Sequence, residues 1–384
     1  MRTGLVGPLV WAALAAGAAL GWQALTVRYN YGGDWSALFY TGQSTAVPPQ
    51  IAQEDVYRVN DATGYDGQYY HMIAHDPLLR GETMRFLDNP RLRWRRILLP
   101  ALAYGAAGGE SDRVDSAYSA VVLGFVFLGA LWTARWAVAW GRHPAWGLMF
   151  LAIPAVAVSL DRYTIDVALA ALAVGFVAEG GAGFSLAILV LAPLARETGV
   201  ILIAAYALDA ALRKEWRRVA LAGASSLPWI FWLLYVARRT PADATVFASW
   251  VPFYGLIGRT LHPIQDSVAT PWLLRAAILE YVGILGMWVA VALAAALLWK
   301  GKRDLTALAA ALFAAVFIAF LGQPQAWSGV YSFGRTMSPL LIWLALAGVA
   351  SGRWVFLTPL AMTMPRILFQ LSPQWRGIWH GLMR

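Results

Sequence analysis

The chain has 384 residues, of which 59% are hydrophobic and only 13% charged, and its mean hydropathy is +0.56. A soluble domain carries roughly 25% charged residues because its surface faces water, so an ordinary water-facing globule is excluded. The net charge of +9 does not describe a nucleic-acid surface, which needs one groove-sized basic patch. Here the basic residues form short clusters at the ends of apolar runs: Arg135 and Arg142, then Arg213, Lys214, Arg217 and Arg218, then Lys300, Lys302 and Arg303.

That distribution is the positive-inside pattern of a membrane protein, and the 20 Trp and 15 Tyr suit rings seated at the headgroup level. No nucleic-acid partner is expected; membrane lipids are. The absence of cysteine excludes disulfides and thiolate metal sites. The composition predicts an all-α bundle of transmembrane helices, a single multi-pass membrane domain over residues 1–384. A bacterial cytoplasmic membrane is the expected setting.

In chain order, the apolar run Gly4–Leu25 has the small residues of a cleavable signal. It is nevertheless long enough, at about 20 residues, to span a bilayer, and it reads as an uncleaved first helix with a cytoplasmic N-terminus. The polar stretch Thr26–Arg96 is too polar for lipid and too long for a minimal connector; residues 27–96 read as a large extracytoplasmic loop carrying short helices. Ile97–Ala107 is short for a span and suits a re-entrant or interfacial piece. Val114–Trp140 returns to the inside, Trp146–Leu160 goes out and Tyr163–Val177 comes back.

Phe184–Leu194 and Gly199–Leu212 flank Ala195-Arg196-Glu197-Thr198. One continuous helix would bury an Arg–Glu pair at mid-bilayer, which is costly, so two short helices with the pair at their outer end are expected. Val219–Val236 leads to a second outer segment, 237–271. Leu273–Trp299, Leu305–Leu321, Pro339–Ala350 and Val355–Leu371 complete the pattern, with a third outer loop at 322–336. The length rule gives ten to eleven helices. The three polar loops fall on one side and the basic clusters on the other, with no pair of broken repeats of the transporter kind.

The first loop carries the densest chemistry. Gly64-Tyr65-Asp66-Gly67-Gln68-Tyr69-Tyr70-His71 opens a short helix that Pro77 stops, and Arg91, Arg93, Arg95 and Arg96 run into Ile97-Leu98-Leu99-Pro100. A carboxylate at a helix start can take a proton from an attacking hydroxyl, while guanidinium forks grip a leaving phosphate. Each residue also has a plainer reading. Asp66 is a natural turn residue, and Asp34 in Gly33-Asp34-Trp35-Ser36 suits an N-cap for the residues that follow. His71 and His75 at i, i+4, with Asp76, have metal-ligand spacing. With no third ligand evident, a polar outer helix is the simpler account. Arg93, Arg95 and Arg96 suit headgroup anchoring by snorkelling, although their charge on this side opposes the positive-inside rule. Arg196 and Glu197 suit a neutralising pair.

Tyr65-Asp66-Gly67-Gln68-Tyr69-Tyr70, then Ile73-Ala74 and Arg95-Arg96-Ile97-Leu98-Leu99-Pro100, resemble the first outer loop of GT-C glycosyltransferases. The closest flavour is the GPI mannosyltransferase-like branch and its bacterial relatives. Ala195-Arg196-Glu197-Thr198-Gly199 and Gly334-Arg335 before Pro339-Leu340-Leu341 are similar to bacterial members. The sequence departs from the pattern where Tyr65 replaces a Trp. It also has no paired acids after the first helix, only Asp34. The resemblance implies an inverting transfer from a polyprenyl-phosphate sugar donor to a lipid or glycan acceptor hydroxyl, with no cofactor and no obligatory metal. Carried onto this chain, it makes Asp66 the base, with Asp34 a second catalytic candidate. Gln68, Tyr69, His71, Arg93, Arg95, Arg96, Arg196, Glu197 and Arg335 become the substrate-binding set. A transporter or flippase of a lipid-linked saccharide, or a non-catalytic scaffold, remains open at this point.

Overall fold

The computed structural model describes residues 6–60, 63–179, 182–242, 248–263, 270–300 and 304–384. Met1, Arg2, Lys302 and Arg303 lie outside the described residues, as do parts of the 237–271 segment. The protein is an all-α, multi-pass helical membrane protein. The described residues hold one small sheet, a parallel pairing of Thr41–Gly42 with Arg58–Val59 inside the first loop. Among the described residues, five helices are long and apolar enough to cross a membrane: Val6–Asn30, Ser111–Ala139, Trp216–Arg239, Pro271–Trp299 and Tyr331–Ser351. The number rises to seven if the bent pairs Pro144–Ala152 with Pro154–Arg162 and Trp354–Gln370 with Ser372–Leu382 each count as one span. The expectation of ten to eleven also counted runs that fold as shorter apolar helices, among them Asp166–Ala178, Phe184–Ala195 and Leu305–Ile318.

Packing follows the small residues. On Val6–Asn30 the buried stripe is Ala12, Ala15, Ala19, Gln23 and Thr26, while Leu9, Leu14 and Leu20 face outward. Lipid tails are as apolar as Leu, so burial of Leu drives no association here; small side chains let helix backbones approach instead. That stripe lies against Val114–Ala139. Tyr331–Ser351 runs through the middle of the bundle, and its Trp343, fully buried, meets its hydrogen-bonding need by donating Nε1–H to the Ala173 carbonyl at 3.1 Å.

Two ends of the bundle follow from this central helix. Arg335 sits in its first turns, whereas Arg142 donates to the Val349 carbonyl near its last. Fourteen residues at 1.5 Å each separate the two by roughly 21 Å along the axis. Arg353, Asp304 and Trp140 line one small cavity at the Val349 end. Val200–Leu212 likewise starts beside Glu197 and ends at the Arg213–Arg218 cluster. The two described basic clusters, at residues 135–142 and 213–218, thus share one end, ringed by exposed Trp140, Trp216, Trp299 and Trp354, and the first loop caps the other.

Local breaks build the loop end. The chain between Ala182–Ala195 and Val200–Leu212 breaks at Arg196, whose backbone is extended, and turns through Glu197–Gly199. Two short helices therefore put Arg196 and Glu197 at their junction, away from mid-bilayer, but the expected neutralising pair does not form: Arg196 pairs with Asp166 and Glu197 with Arg96. Gly199 makes the turn possible, since a Cβ there would lie 2.3 Å from the Ala192 carbonyl.

Candidate functional site

The loop helix spans Asp66–His75, with Tyr65 as its N-cap residue and Asp66 in its first turn. Gly67 fixes where it sits. A Cβ on Gly67 would fall 2.2 Å from the Arg162 carbonyl, so only glycine lets the helix start press against the end of Pro154–Arg162. The Tyr65 hydroxyl donates to the Tyr331 carbonyl at 3.0 Å, tying the same point to the central helix. The second half of the loop is held just as firmly. Asn89 caps Pro90–Arg95 by accepting from the Leu92 N–H, Arg91 donates to the carbonyls of Ala237 and Thr240, and Trp232 donates to the Trp94 carbonyl.

These restraints bring Asp66 to the edge of a cavity of about 520 Å³. Its wall includes Arg93, Arg95, Arg96, Arg196 and Arg335, the carboxylates Asp66, Asp88 and Glu197, and the apolar Leu92, Phe317 and Leu321. The wall carries five guanidinium groups against three carboxylates, an excess of two positive charges. Phe317 comes from a π-helical stretch, Phe313–Ile318, the kind of local widening that often marks functional sites.

Asp66 is held from both sides: Arg93 Nη1 meets its Oδ1 at 2.9 Å and Arg335 Nη2 its Oδ2 at 2.7 Å. Burial pushes the carboxyl's pKa up, but the two guanidinium groups outweigh it, and Asp66 stays ionised far below the usual carboxylate range. Arg93 is fully engaged, forking onto Asp88 at 2.9 and 2.8 Å with its guanidinium over the Tyr69 ring at 4.7 Å. Arg96 forks onto Glu197 at 2.8 and 2.5 Å and donates to the Tyr70 hydroxyl at 3.3 Å. Burial raises the Glu197 pKa, Arg96 lowers it more, and the carboxyl settles at about 2. Arg196 is bound by Asp166 and by the Thr336 hydroxyl.

Three cations of the wall keep capacity, among them Arg196, whose Nε has no hydrogen-bond partner. Arg335 is buried, and its Nη1 has no hydrogen-bond partner. Arg95 lines the cavity and has no hydrogen bond or ion pair among the described residues.

No family model, curated protein or solved structure matches this chain. The site therefore has to be read from its own chemistry.

Of the residues singled out in the sequence, Asp66, Arg93, Arg95, Arg96, Arg196, Glu197 and Arg335 converge on this cavity, from four segments up to 269 positions apart. Tyr69 stands behind Arg93. Asp34 lies elsewhere: it caps Trp35–Phe39, accepting from the Ser36 N–H at 2.9 Å and the Ser36 hydroxyl at 2.7 Å. Gln68 is buried and braces the loop, accepting from the Gly42 N–H and donating to the Thr63 carbonyl. His71 faces Asp115 rather than the cavity lining. The sequence reading left Asp88, Gln323, Ser332 and Thr336 without a role. Asp88 carried a signal, five residues before Arg93 and just ahead of an Asn-Pro helix start; the others come close only through the fold.

Proposed function

We propose that this protein is an inverting membrane glycosyltransferase of the GT-C type. It would move a sugar from a polyprenyl-phosphate donor to an acceptor hydroxyl at the extracytoplasmic face. The observation that carries the reading is Asp66, an ionised carboxylate clasped by two arginines at the rim of a cavity with uncommitted guanidinium capacity in Arg95 and Arg335. The side of the membrane is inferred from the basic clusters, which lie at the opposite end and mark the cytoplasmic face.

In the reaction the acceptor oxygen attacks the anomeric carbon, a new C–O bond forms, and the bond to the phosphate oxygen breaks with its electron pair. The acceptor proton passes to an Asp66 oxygen. The donor diester carries one negative charge and the departing phosphate up to two, so a wall whose five guanidinium groups still exceed its carboxylates once Asp166 behind Arg196 is counted favours the later state over the earlier one. Such differential binding lowers the barrier. Leu92, Phe317 and Leu321 supply an apolar flank for the first isoprene units.

A carboxylate held so acidic by two arginines is a weak base on its own. Donor binding corrects this: a phosphate that engages Arg335 and Arg95 shares the positive charge now focused on Asp66, and its proton affinity rises. The base is strengthened only when the donor is in place.

The test is a transfer assay with purified protein and a polyprenyl-phosphate sugar. Asp66→Asn keeps the shape of the side chain and removes its proton affinity, so turnover should fall by about 10² or more while donor binding persists. An Asp66→Asn protein that transfers sugar at the wild-type rate would sink the assignment.

A further inference from the structure

The far end of the loop helix holds a cluster that sugar transfer does not use. Glu54, His71, His75 and Asp115 each point one ligand-type atom into a common space, all within 4.8 Å of one another. We propose that these four residues bind a divalent transition ion of the zinc type, which clasps the first loop to the Val114–Ala139 helix.

His71 and His75 stand one turn apart on the Asp66–His75 helix, so their rings share a face. Asp115 is in the first turn of Val114–Ala139, and Glu54 follows the short helix Pro49–Ala52. His71 Nε2 lies 3.2 Å from His75 Nε2, 2.7 Å from Asp115 Oδ1 and 3.9 Å from Glu54 Oε2. Zinc–nitrogen bonds of about 2.0–2.1 Å in a tetrahedron set ligand atoms about 3.3 Å apart, and the three separations bracket that value.

The protons point the same way. The Ser111 hydroxyl donates its one proton to Glu54 Oε1 at 2.7 Å. Its oxygen is therefore the acceptor toward His75 Nδ1, 2.8 Å away, and Nδ1 carries the His75 proton. Nε2 is then the ring nitrogen that faces His71 and is free for an ion. Asp115 Oδ1 is buried 2.7 Å from His71 Nε2. Two carboxylates and two imidazoles thus converge on one ion-sized space, and a dication would bind all four at once. The hydroxyl that orients His75 is the outer-shell partner typical of a metal-bound imidazole. Two nitrogen and two oxygen ligands suit zinc or cobalt rather than calcium or magnesium, which take oxygen alone.

The ion would be structural. His75 is nine residues beyond Asp66, about 13.5 Å along the helix axis, so it positions the base without touching substrate. The inference does not depend on the glycosyltransferase reading, because its readouts are metal content and Tm, not turnover.

Purified full-length protein with its tag removed is loaded with zinc, desalted and assayed for metal. The wild type should retain about one zinc per chain, and His71→Ala and His75→Ala should retain none. Ser111→Ala keeps all four ligands and should weaken zinc affinity by about 10–100-fold. Cobalt in place of zinc should give the intense visible bands of a tetrahedral ion. Zinc should also raise the wild-type Tm where magnesium does not, a measurement that needs no variant to fold. A wild type that retains no zinc and shows no zinc-dependent Tm overturns the proposal. Histidine variants that retain as much zinc as the wild type overturn it too.

Discussion

The two ends of the bundle are both rich in arginine and use it in opposite ways. At the basic end Arg213 is 56% exposed and Arg135 40% exposed, and each meets a single carboxylate from the surface. At the loop end Arg93, Arg96, Arg196 and Arg335 are all at least nine-tenths buried and interlocked with Asp66, Asp88, Asp166 and Glu197 around a cavity. A solvated guanidinium sets orientation in the membrane at small energetic cost. A buried one has lost its water and must be satisfied by carboxylates or by a ligand. Arginine count alone does not separate the two roles; burial and pairing do.

The most decisive way to break this comparison is topological. Reporters fused within Arg213–Arg218 should read cytoplasmic and one fused at residue 60 should read extracytoplasmic, with all-or-none signals. A cytoplasmic reading at residue 60 would remove the basis for an outward-facing site.

Next in size is stability. Arg196→Ala leaves the buried Asp166 with only the longer contact to Arg335 Nε at 3.4 Å, and loss of one partner of a buried pair should cost about 3–5 kcal/mol, measured by denaturation in detergent. Arg213→Ala, the exposed counterpart, should stay within about 0.5 kcal/mol. Equal losses at the two positions would erase the distinction between the ends.

Ligand contacts come third. Arg95→Ala and Arg335→Ala should each weaken donor binding by about 1.5–3 kcal/mol, the worth of a hydrogen bond to a charged group. Lysine at either position should restore only part, because it lacks the planar fork. Arg95→Ala should leave stability unchanged, since Arg95 has no internal partner to abandon. A binding titration beside a melting curve on the same sample separates the two effects.

Asp34 gives a smaller effect. As an N-cap its replacement by Ala should lower stability by about 1 kcal/mol and leave the turnover of the folded protein intact. Loss of turnover at unchanged stability would return Asp34 to the chemistry.

The smallest effect near neutrality is that of pH. Asp66 and Glu197 both have folded pKa values below their unfolded ones. Their contribution to stability is therefore full above the unfolded range of about 4. It is lost as pH falls toward the folded values, about 2 for Glu197. These groups should leave Tm flat from about pH 6 to 8 and lower it below about pH 4. Glu197→Gln should make that acid limb shallower.

Much of this was legible in the sequence, for physical reasons. Hydropathy and charge clustering announced an all-α membrane bundle, because a bilayer demands long apolar helices and penalises charge. The Asp-Gly start of the loop helix, its stop before Pro77 and the break at Arg196 were local events, governed by capping, proline and the cost of a buried pair. What the sequence did not decide was partnership. Nothing along the chain sets Asp66 between Arg93 and Arg335, 27 and 269 positions away, whereas the Asp34 cap on Ser36 was a local reading the structure bears out. Glu54 and Asp115 flank the His71–His75 face from 17 and 44 positions away, which is why two histidines at helical spacing looked like a plain polar face. Side-chain chemistry fixes what each residue can offer. Only the packed backbone, through close approaches such as Gly67 on the Arg162 carbonyl, decides which offers meet.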